Sequence, residues 1–219
     1  MMSTVFRSLD VSQLSTGEAY RILNNMVSPR PIAFVSTRSE LGVPNLAPFS
    51  YFMAGGANPP SVVVSPVGTH TGKPKDTLVN IRATGQFTIN LLSYSMITGM
   101  NQASYTYPHG ESEWPHTGFT PVPCVKVKCD RVAESLIAIE CVLHQIVPHG
   151  EGTASANYVI GEVVYFHVAE SLYGEDGQID PRKTDYVSRM GGDWYTRTTP
   201  DTMFELGRPE SAETQWRNK

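Results

Sequence analysis

Asn45-Leu46-Ala47-Pro48-Phe49-Ser50-Tyr51-Phe52 mixes small, hydroxyl-bearing and aromatic residues with a proline that removes one backbone donor. Upstream, Pro31-Ile32-Ala33-Phe34-Val35-Ser36-Thr37 is β-rich and ends in two hydroxyls. Downstream, Pro59-Pro60-Ser61-Val62-Val63-Val64-Ser65 precedes Lys75-Asp76-Thr77. A hydroxyl- and amide-rich bend between strands, followed by a basic helix start, suits a flat, phosphorylated ligand. Aromatic rings pack beside its flat part, while hydroxyls, free N–H groups and a lysine hold its anionic tail.

Working outward, Ile32 to Thr37 reads as a buried strand and Val43 to Phe52 as a second one. Pro44 and Pro48 make the second irregular, at an edge or a bulge. Gly55-Gly56 and Asn58-Pro59-Pro60 read as a loop, and Val62 to Val64 as a short strand. Gly68 to Pro74, with Thr69, His70, Thr71 and Lys73, is another loop. Asp76 is the expected N-cap of a helix over Thr77–Ala83, with Leu78 and Ile81 inward and Gly85 ending it. Gln86 to Leu92 alternates as a strand does. In Leu136 to Val147, Ile137, Ile139, Cys141, Leu143 and Val147 share one expected face, and Glu140 and His144 the other. Tyr158 to Val168 is a further strand, in which Gly161 signals a kink or a close backbone approach.

Helical spacing appears in Gly17 to Met26 and weakly in Ser95 to Ser104. Tyr105 to Pro121 reads as an ordered insertion and Val122 to Val127 as a short strand. Within the insertion, Glu111 and Glu113 read as solvated, with gating of a substrate as the alternative. About six or seven strands with few helices, not alternating with them, point to a mainly β, antiparallel barrel. One domain over 1–219 is expected. Its polar lead-in covers 1–17, and its polar tail, 198–219, has Met203, Phe204 and Leu206 as anchors.

The 219 residues are 40% hydrophobic and 17% charged, with a formal net charge of −4. That is enough apolar material for a core, and it lacks the basic surface a nucleic-acid partner requires. No stretch reaches the ~20 apolar residues of a membrane helix, and Met1 to Asp10 does not read as a secretory signal. Cys124, Cys129 and Cys141 do not make a disulfide framework, so a cytoplasmic location is expected. Cys141 and His144, three apart on a strand, would point to opposite faces, and His109, His116 and His149 lack a matched ligand set. No metal is expected. Gly-x-Ser-x-Gly, Gly-x-Gly-x-x-Gly and Walker patterns are absent from the sequence.

The ordered pieces SPRPIAFVST, NLAPFSYF, NPPSVVVS, KDTLVNI, QFTINLL, GMNQAS, GESEW, IAIECVL, YVIGEVVYFHV and SRMGGDWY resemble the flavin reductase-like, FMN-binding split-barrel family over about residues 20–197. The resemblance implies a split β-barrel with a few peripheral helices, FMN as cofactor and a homodimer. It implies that Asn45, Ala47, Pro48, Phe49, Ser50 and Tyr51 line the isoalloxazine, with Ser50 near the phosphate, and that Ser36, Thr37 and Ser65 also meet the flavin. Taken alone, Ser36-Thr37 is ordinary turn chemistry. Lys75 and Thr77 would serve the phosphate at a helix N-terminus, with Asp76 orienting Lys75. Arg30 is a second candidate cation, and equally a surface arginine. Arg189 and Tyr195 would face the ligand, the nicotinamide or a dimer contact.

The implied chemistry is hydride transfer from NADH or NADPH to flavin, which needs no obligatory protein acid or base, so no catalytic residue is assigned. N–H groups near Ala47 and Phe49 would stabilise the reduced ring. A partner oxygenase or another acceptor would take the electrons. The alternative is an FMN-binding electron carrier without NAD(P)H turnover. A third reading is a related barrel for haem or pyridoxal phosphate, or a structural dimer. Where some members of the family carry a histidine before the IGEV core, this chain has Ala156-Asn157.

Overall fold

A computed structural model describes residues 4–69 and 71–208. His70 and residues 209–219 of the expected tail therefore lie outside the described residues. The β-branched and aromatic runs form strands, and alternation decides which face each residue takes. Short β1 (Arg30–Pro31) is followed by β2 (Ala33–Arg38), β3 (Pro44–Phe49), β4 (Phe52–Ala57) and β5 (Pro60–Val64). Next come β6 (Gln86–Leu91), β7 (Pro121–Pro123), β8 (Asp130–Val132), β9 (Ile137–His149), β10 (Ala156–Val168), β11 (Val187–Arg189) and β12 (Tyr195–Arg197). Seven of them make one antiparallel sheet in the order β3-β2-β6-β9-β10-β5-β4.

The sheet curls around Ala33, Val35, Phe49, Val62, Val64, Phe87, Ile89, Ile139, Cys141 and Val159. Helix α2 (Asp76–Thr84) adds Leu78 and Ile81 to that cluster, as the sequence predicts, and Gly85 closes the helix at φ +67°. The opposite face of β2 carries Ile32 and Phe34. Helices α3 (Ile97–Ala103) and α4 (Trp114–Thr117) cover it with Met100, Ala103 and Trp114. Helix α1 (Thr16–Met26) starts at a Ser15–Glu18 capping box.

Several expectations need correction. The second strand does not run through to Phe52: it breaks at Ser50-Tyr51, and the chain crosses from one edge of the sheet, β3, to the other, β4. Gly55-Gly56 belong to β4 rather than to a loop. Pro44 and Pro48 mark an edge and no bulge, since β2 and β3 stay in register from Ala33↔Phe49 to Arg38↔Pro44. In β9 the pairing jumps from Gly161↔Leu143 to Ile160↔Gln145, leaving His144 as the extra residue. Alternation restarts there, so Ile146 packs on the core and Val147 is exposed. Val125 to Val127 form no strand, because their N–H groups turn to the Glu140 carboxylate. Phe204 and Leu206 are exposed rather than anchoring the tail.

Gly161 is required by a close approach. A Cβ there would stand 2.4 Å from Cζ of Phe87 and 3.3 Å from Cβ of Cys141. Gly161→Ala is expected to lower stability by about 1–3 kcal/mol through overpacking. Part of the loss should return in the Gly161→Ala/Phe87→Leu double variant. Chemical denaturation reads both, and an unshifted midpoint for the single variant would show that the ring moves aside without strain.

Candidate functional site

Helix α2 begins without a side-chain cap. Lys75 is its N-cap residue, one position before the expected Asp76. The carbonyl of Lys75 accepts from Leu78 and Val79 N–H, at 2.9 and 3.1 Å. The N–H groups of Asp76 and Thr77 have no acceptor inside the helix, and the residue that precedes them, Lys75, is exposed. The Asp76 carboxylate is turned to the insertion instead: it meets His109 Nδ1 at 2.5 Å and accepts from Gly110 N–H at 3.0 Å.

Behind this turn lies a buried polar network. Asn45 Oδ1 accepts from the Thr77 hydroxyl at 2.8 Å and the Thr37 hydroxyl at 3.2 Å. Asn80 Nδ2 donates to Thr37 Oγ1 at 3.0 Å. Asn45 Nδ2 donates to both oxygens of Glu113 at 2.8 Å, and Leu46 N–H donates to Glu113 Oε2 at 2.8 Å. Thr37, Asn45, Thr77, Asn80 and Glu113 are all buried. Burial pushes the Glu113 carboxyl above its ordinary range; the donors from Leu46 and Asn45 pull it down, and the Asp76 charge raises it. Glu113 is therefore not the solvated loop residue the sequence suggests. Thr37, Asn45 and Thr77 come together as expected, but their side chains are engaged with one another.

Ser36 points the other way, to the face of Phe34 and Leu46, and is fully buried. The two neighbouring hydroxyls cannot both meet one ligand. The edge of β3 also differs from expectation. Because Leu46 N–H points outward to Glu113, those of Asn45, Ala47 and Phe49 point inward to β2. N–H groups at Ala47 and Phe49 are thus committed to the ladder and cannot stabilise a reduced ring. Pro44 and Pro48, on the outward side, have no donor.

Ser50 lies at the far end of β3, five residues on from Asn45, or roughly 17 Å at ~3.4 Å per residue. The phosphate contact expected of Ser50 is therefore displaced from Lys75 by the length of the strand. Arg30 is buried, and its guanidinium donates to the carbonyls of Asn24, Val27 and Met190 at 2.5, 2.6 and 3.0 Å. Its Nε reaches Ser50 Oγ at 3.4 Å, and its head lies 5.9 Å from the Tyr51 ring centre. Arg30 acts as a brace between α1, β11 and Ser50, neither a surface arginine nor a free cation for phosphate. Ser65 donates its N–H to Tyr51 O at 2.8 Å, and its hydroxyl accepts from Asn157 N–H at 3.2 Å. Arg189 stacks 4.5 Å over Tyr195 and donates to Gly192 O at 2.6 Å. Its register partner on β1 is Arg30, which puts Arg189 and Tyr195 at the Ser50 end.

Comparison with known proteins meets this arrangement at its centre. A family model described as "Flavin reductase like domain" matches residues 26–183, which contain β3, α2 and the insertion. The chain belongs to the flavin reductase-like family. An uncharacterized protein of Halalkalibacterium halodurans is 38% identical over 203 residues, covering 92% of this chain and 96% of that protein. Nitrilotriacetate monooxygenase component B from Bacillus cereus superposes with a TM-score of 0.87 at 34% identity, over 93% of this chain and 100% of that one. Pseudomonas fluorescens 2-nitrobenzoate 2-nitroreductase NbaA gives 0.82 at 29%, over 93% and 97%. The curled sheet, with the chain crossing from edge strand β3 to edge strand β4, is the split barrel of this family, and family membership supports an FMN-binding oxidoreductase.

The family's flavin does not explain a second cluster on the outer face of the sheet. Donor atoms of Cys124, Glu140 and His167 all lie within 4.8 Å of one another, a set the sequence reading missed by testing Cys141 with His144. Both Glu140 oxygens already accept two donors each: Val125 N–H and His167 Nε2 on one, Lys126 and Val127 N–H on the other. Burial pushes Cys124 to about 11 and Cys129 to about 12, far from thiolate at neutral pH. The cluster pins the 124–127 loop to β9 and β10. Among the described residues no helix is long and apolar enough to cross a membrane.

Proposed function

We propose that this chain is an NAD(P)H-dependent flavin reductase that holds FMN along β3. The observation that carries the reading is the uncapped first turn of α2, preceded by Lys75 and braced on β3 through Asn45. Its two free N–H groups and the ammonium fit a phosphate dianion. FMN held there would supply the acceptor for a hydride from a reduced nicotinamide. The residues of the chain bind and orient: α2 and Lys75 take the phosphate, while Pro48, Ser50 and Tyr51 flank the ring. Arg30 fixes the Ser50 bend. Arg189 and Tyr195 offer a cation and a ring at that end, where the nicotinamide would enter. No side chain is asked to move a proton.

A homodimer completes this reading. Helix α1 exposes Tyr20, Leu23 and Met26, followed by Val27, an apolar stripe at helical spacing that no described residue covers. The matched monooxygenase component supports a separate oxygenase as consumer of the electrons. A cytoplasmic location suits three free cysteines.

The test is an absorbance spectrum of the purified chain with added FMN, followed by anaerobic NADH and then NADPH. Rapid bleaching of a bound-flavin spectrum is expected with one of them. Bound FMN that neither nicotinamide bleaches would replace this reading with an electron carrier. Lys75→Ala should raise the Kd for FMN about 10- to 100-fold, the loss of one charge-assisted hydrogen bond. An unchanged Kd would move the phosphate elsewhere.

A further inference from the structure

The insertion is fastened to the α2 end of the barrel at two places. His109 and Gly110 hold the Asp76 carboxylate, and Glu113 holds the Asn45 amide and Leu46 N–H. Both places adjoin Thr77, whose hydroxyl donates to Asn45 Oδ1. The hydrogen-bond directions are forced. A carboxylate can only accept, so Glu113 holds the Asn45 Nδ2 side with both its oxygens and leaves Oδ1 facing Thr37 and Thr77. Each threonine hydroxyl has one hydrogen, and each spends it on Asn45 Oδ1. The setting of the first turn of α2 against β3 thus depends on which way the Asn45 amide is turned, and one buried carboxylate decides that.

We infer that Glu113 is a positioning residue for the phosphate of the flavin: it orients Asn45, and through Asn45 and Thr77 it fixes the first turn of α2. This rests on the reading of that turn as the phosphate site. Glu113 itself touches no ligand. A glutamine in its place keeps the size but has one acceptor oxygen for Leu46 N–H and the Asn45 amide, and brings an NH2 group against theirs. The amide of Asn45 then loses its fixed direction. Groups facing Glu113 are the donors of β3 and the Asp76 carboxylate of α2, which is itself held by His109. On the insertion, Glu111 is engaged with His116 at 3.3 Å.

The experiment titrates FMN and riboflavin separately into the wild-type chain, Glu113→Gln, Glu113→Asp and His109→Ala. Flavin fluorescence gives Kd, and thermal melts run alongside. Glu113→Gln is expected to raise the Kd for FMN about tenfold while leaving that for riboflavin, which lacks the phosphate, near wild type. Glu113→Asp, which keeps the carboxylate, should recover part of the loss. His109→Ala, at an exposed contact, should change the FMN-to-riboflavin ratio less than Glu113→Gln. Equal weakening of both flavins would show general loosening of the fold and overturn the inference, as would an unchanged FMN Kd. If Glu113→Gln does not melt cooperatively, Thr77→Val, which removes the hydroxyl that reaches Asn45 Oδ1, carries the same comparison with the same two overturning results. A wild-type chain that binds neither flavin overturns the flavin reading and this inference with it.

Discussion

Glu140→Ala is expected to destabilise the chain by about 3–5 kcal/mol, because several donors lose their shared acceptor at about 1–3 kcal/mol for each one left unsatisfied. Glu140 is fully buried and receives three consecutive backbone N–H groups, of Val125, Lys126 and Val127, together with His167 Nε2 at 2.6 Å. Alanine would leave those donors in a space closed to water by β9, β10 and the 124–127 loop. Burial pushes the Glu140 carboxyl upward, but the hydrogen bonds from Val125, His167, Lys126 and Val127 outweigh it and hold the carboxyl below its ordinary 4.5. A depressed carboxylate stabilises the fold above its unfolded value, and that contribution fades as pH falls through the folded value. Stability of the wild type should therefore drop on acidification below about pH 4.5, and the alanine variant should lack this part of the drop. Urea unfolding at several pH values reads both. A loss under about 1 kcal/mol would show that water replaces the carboxylate, and that the loop is not held from this point.

Asn45→Asp is the second large effect, on the order of 3–5 kcal/mol at neutral pH. The change is nearly isosteric, yet it sets a carboxylate oxygen where an NH2 group now lies 2.8 Å from both oxygens of Glu113. Two buried carboxyls at that distance cannot both ionise, so the pair keeps one proton with a raised apparent pKa. The sign is opposite to that of Glu140. With a raised folded value, the variant is nearest wild type below the unfolded carboxylate range and falls behind as pH rises through the raised value. Melts from pH 4 to pH 8 should show the gap widening upward. A constant gap across that range would mean that water or a cation separates the pair.

Strands β2 and β6 and helix α2 were legible because short-range alternation and Gly85 settle them. Gly161 was legible as a close approach, though not that Phe87 is the neighbour. The break at Ser50-Tyr51 was hidden because apolar residues continue through it, and a bend of two residues leaves no periodic trace. The face switch after His144 was hidden for a related reason: one unpaired residue inverts everything beyond it without changing composition. At the site, the uses of the residues are set by partners far away in sequence. Glu113 reads as a loop carboxylate until a contact 68 positions away encloses it. Arg30 reads as a free cation until three carbonyls, one of them 160 positions distant, occupy it.

The two margins of the sheet differ in what they offer another chain. Along β3, two prolines and a captured amide leave nothing to donate outward, so a foreign strand would find acceptors there and no donors. Along β4 the backbone of 53–57 remains exposed. Copies of this protein that pair through the seven-stranded sheet would meet β4 to β4, a two-fold contact that uses up both open margins of that sheet at once. Such a pairing closes at two molecules, and neither copy keeps a free β4 along which the same sheet could grow head to tail.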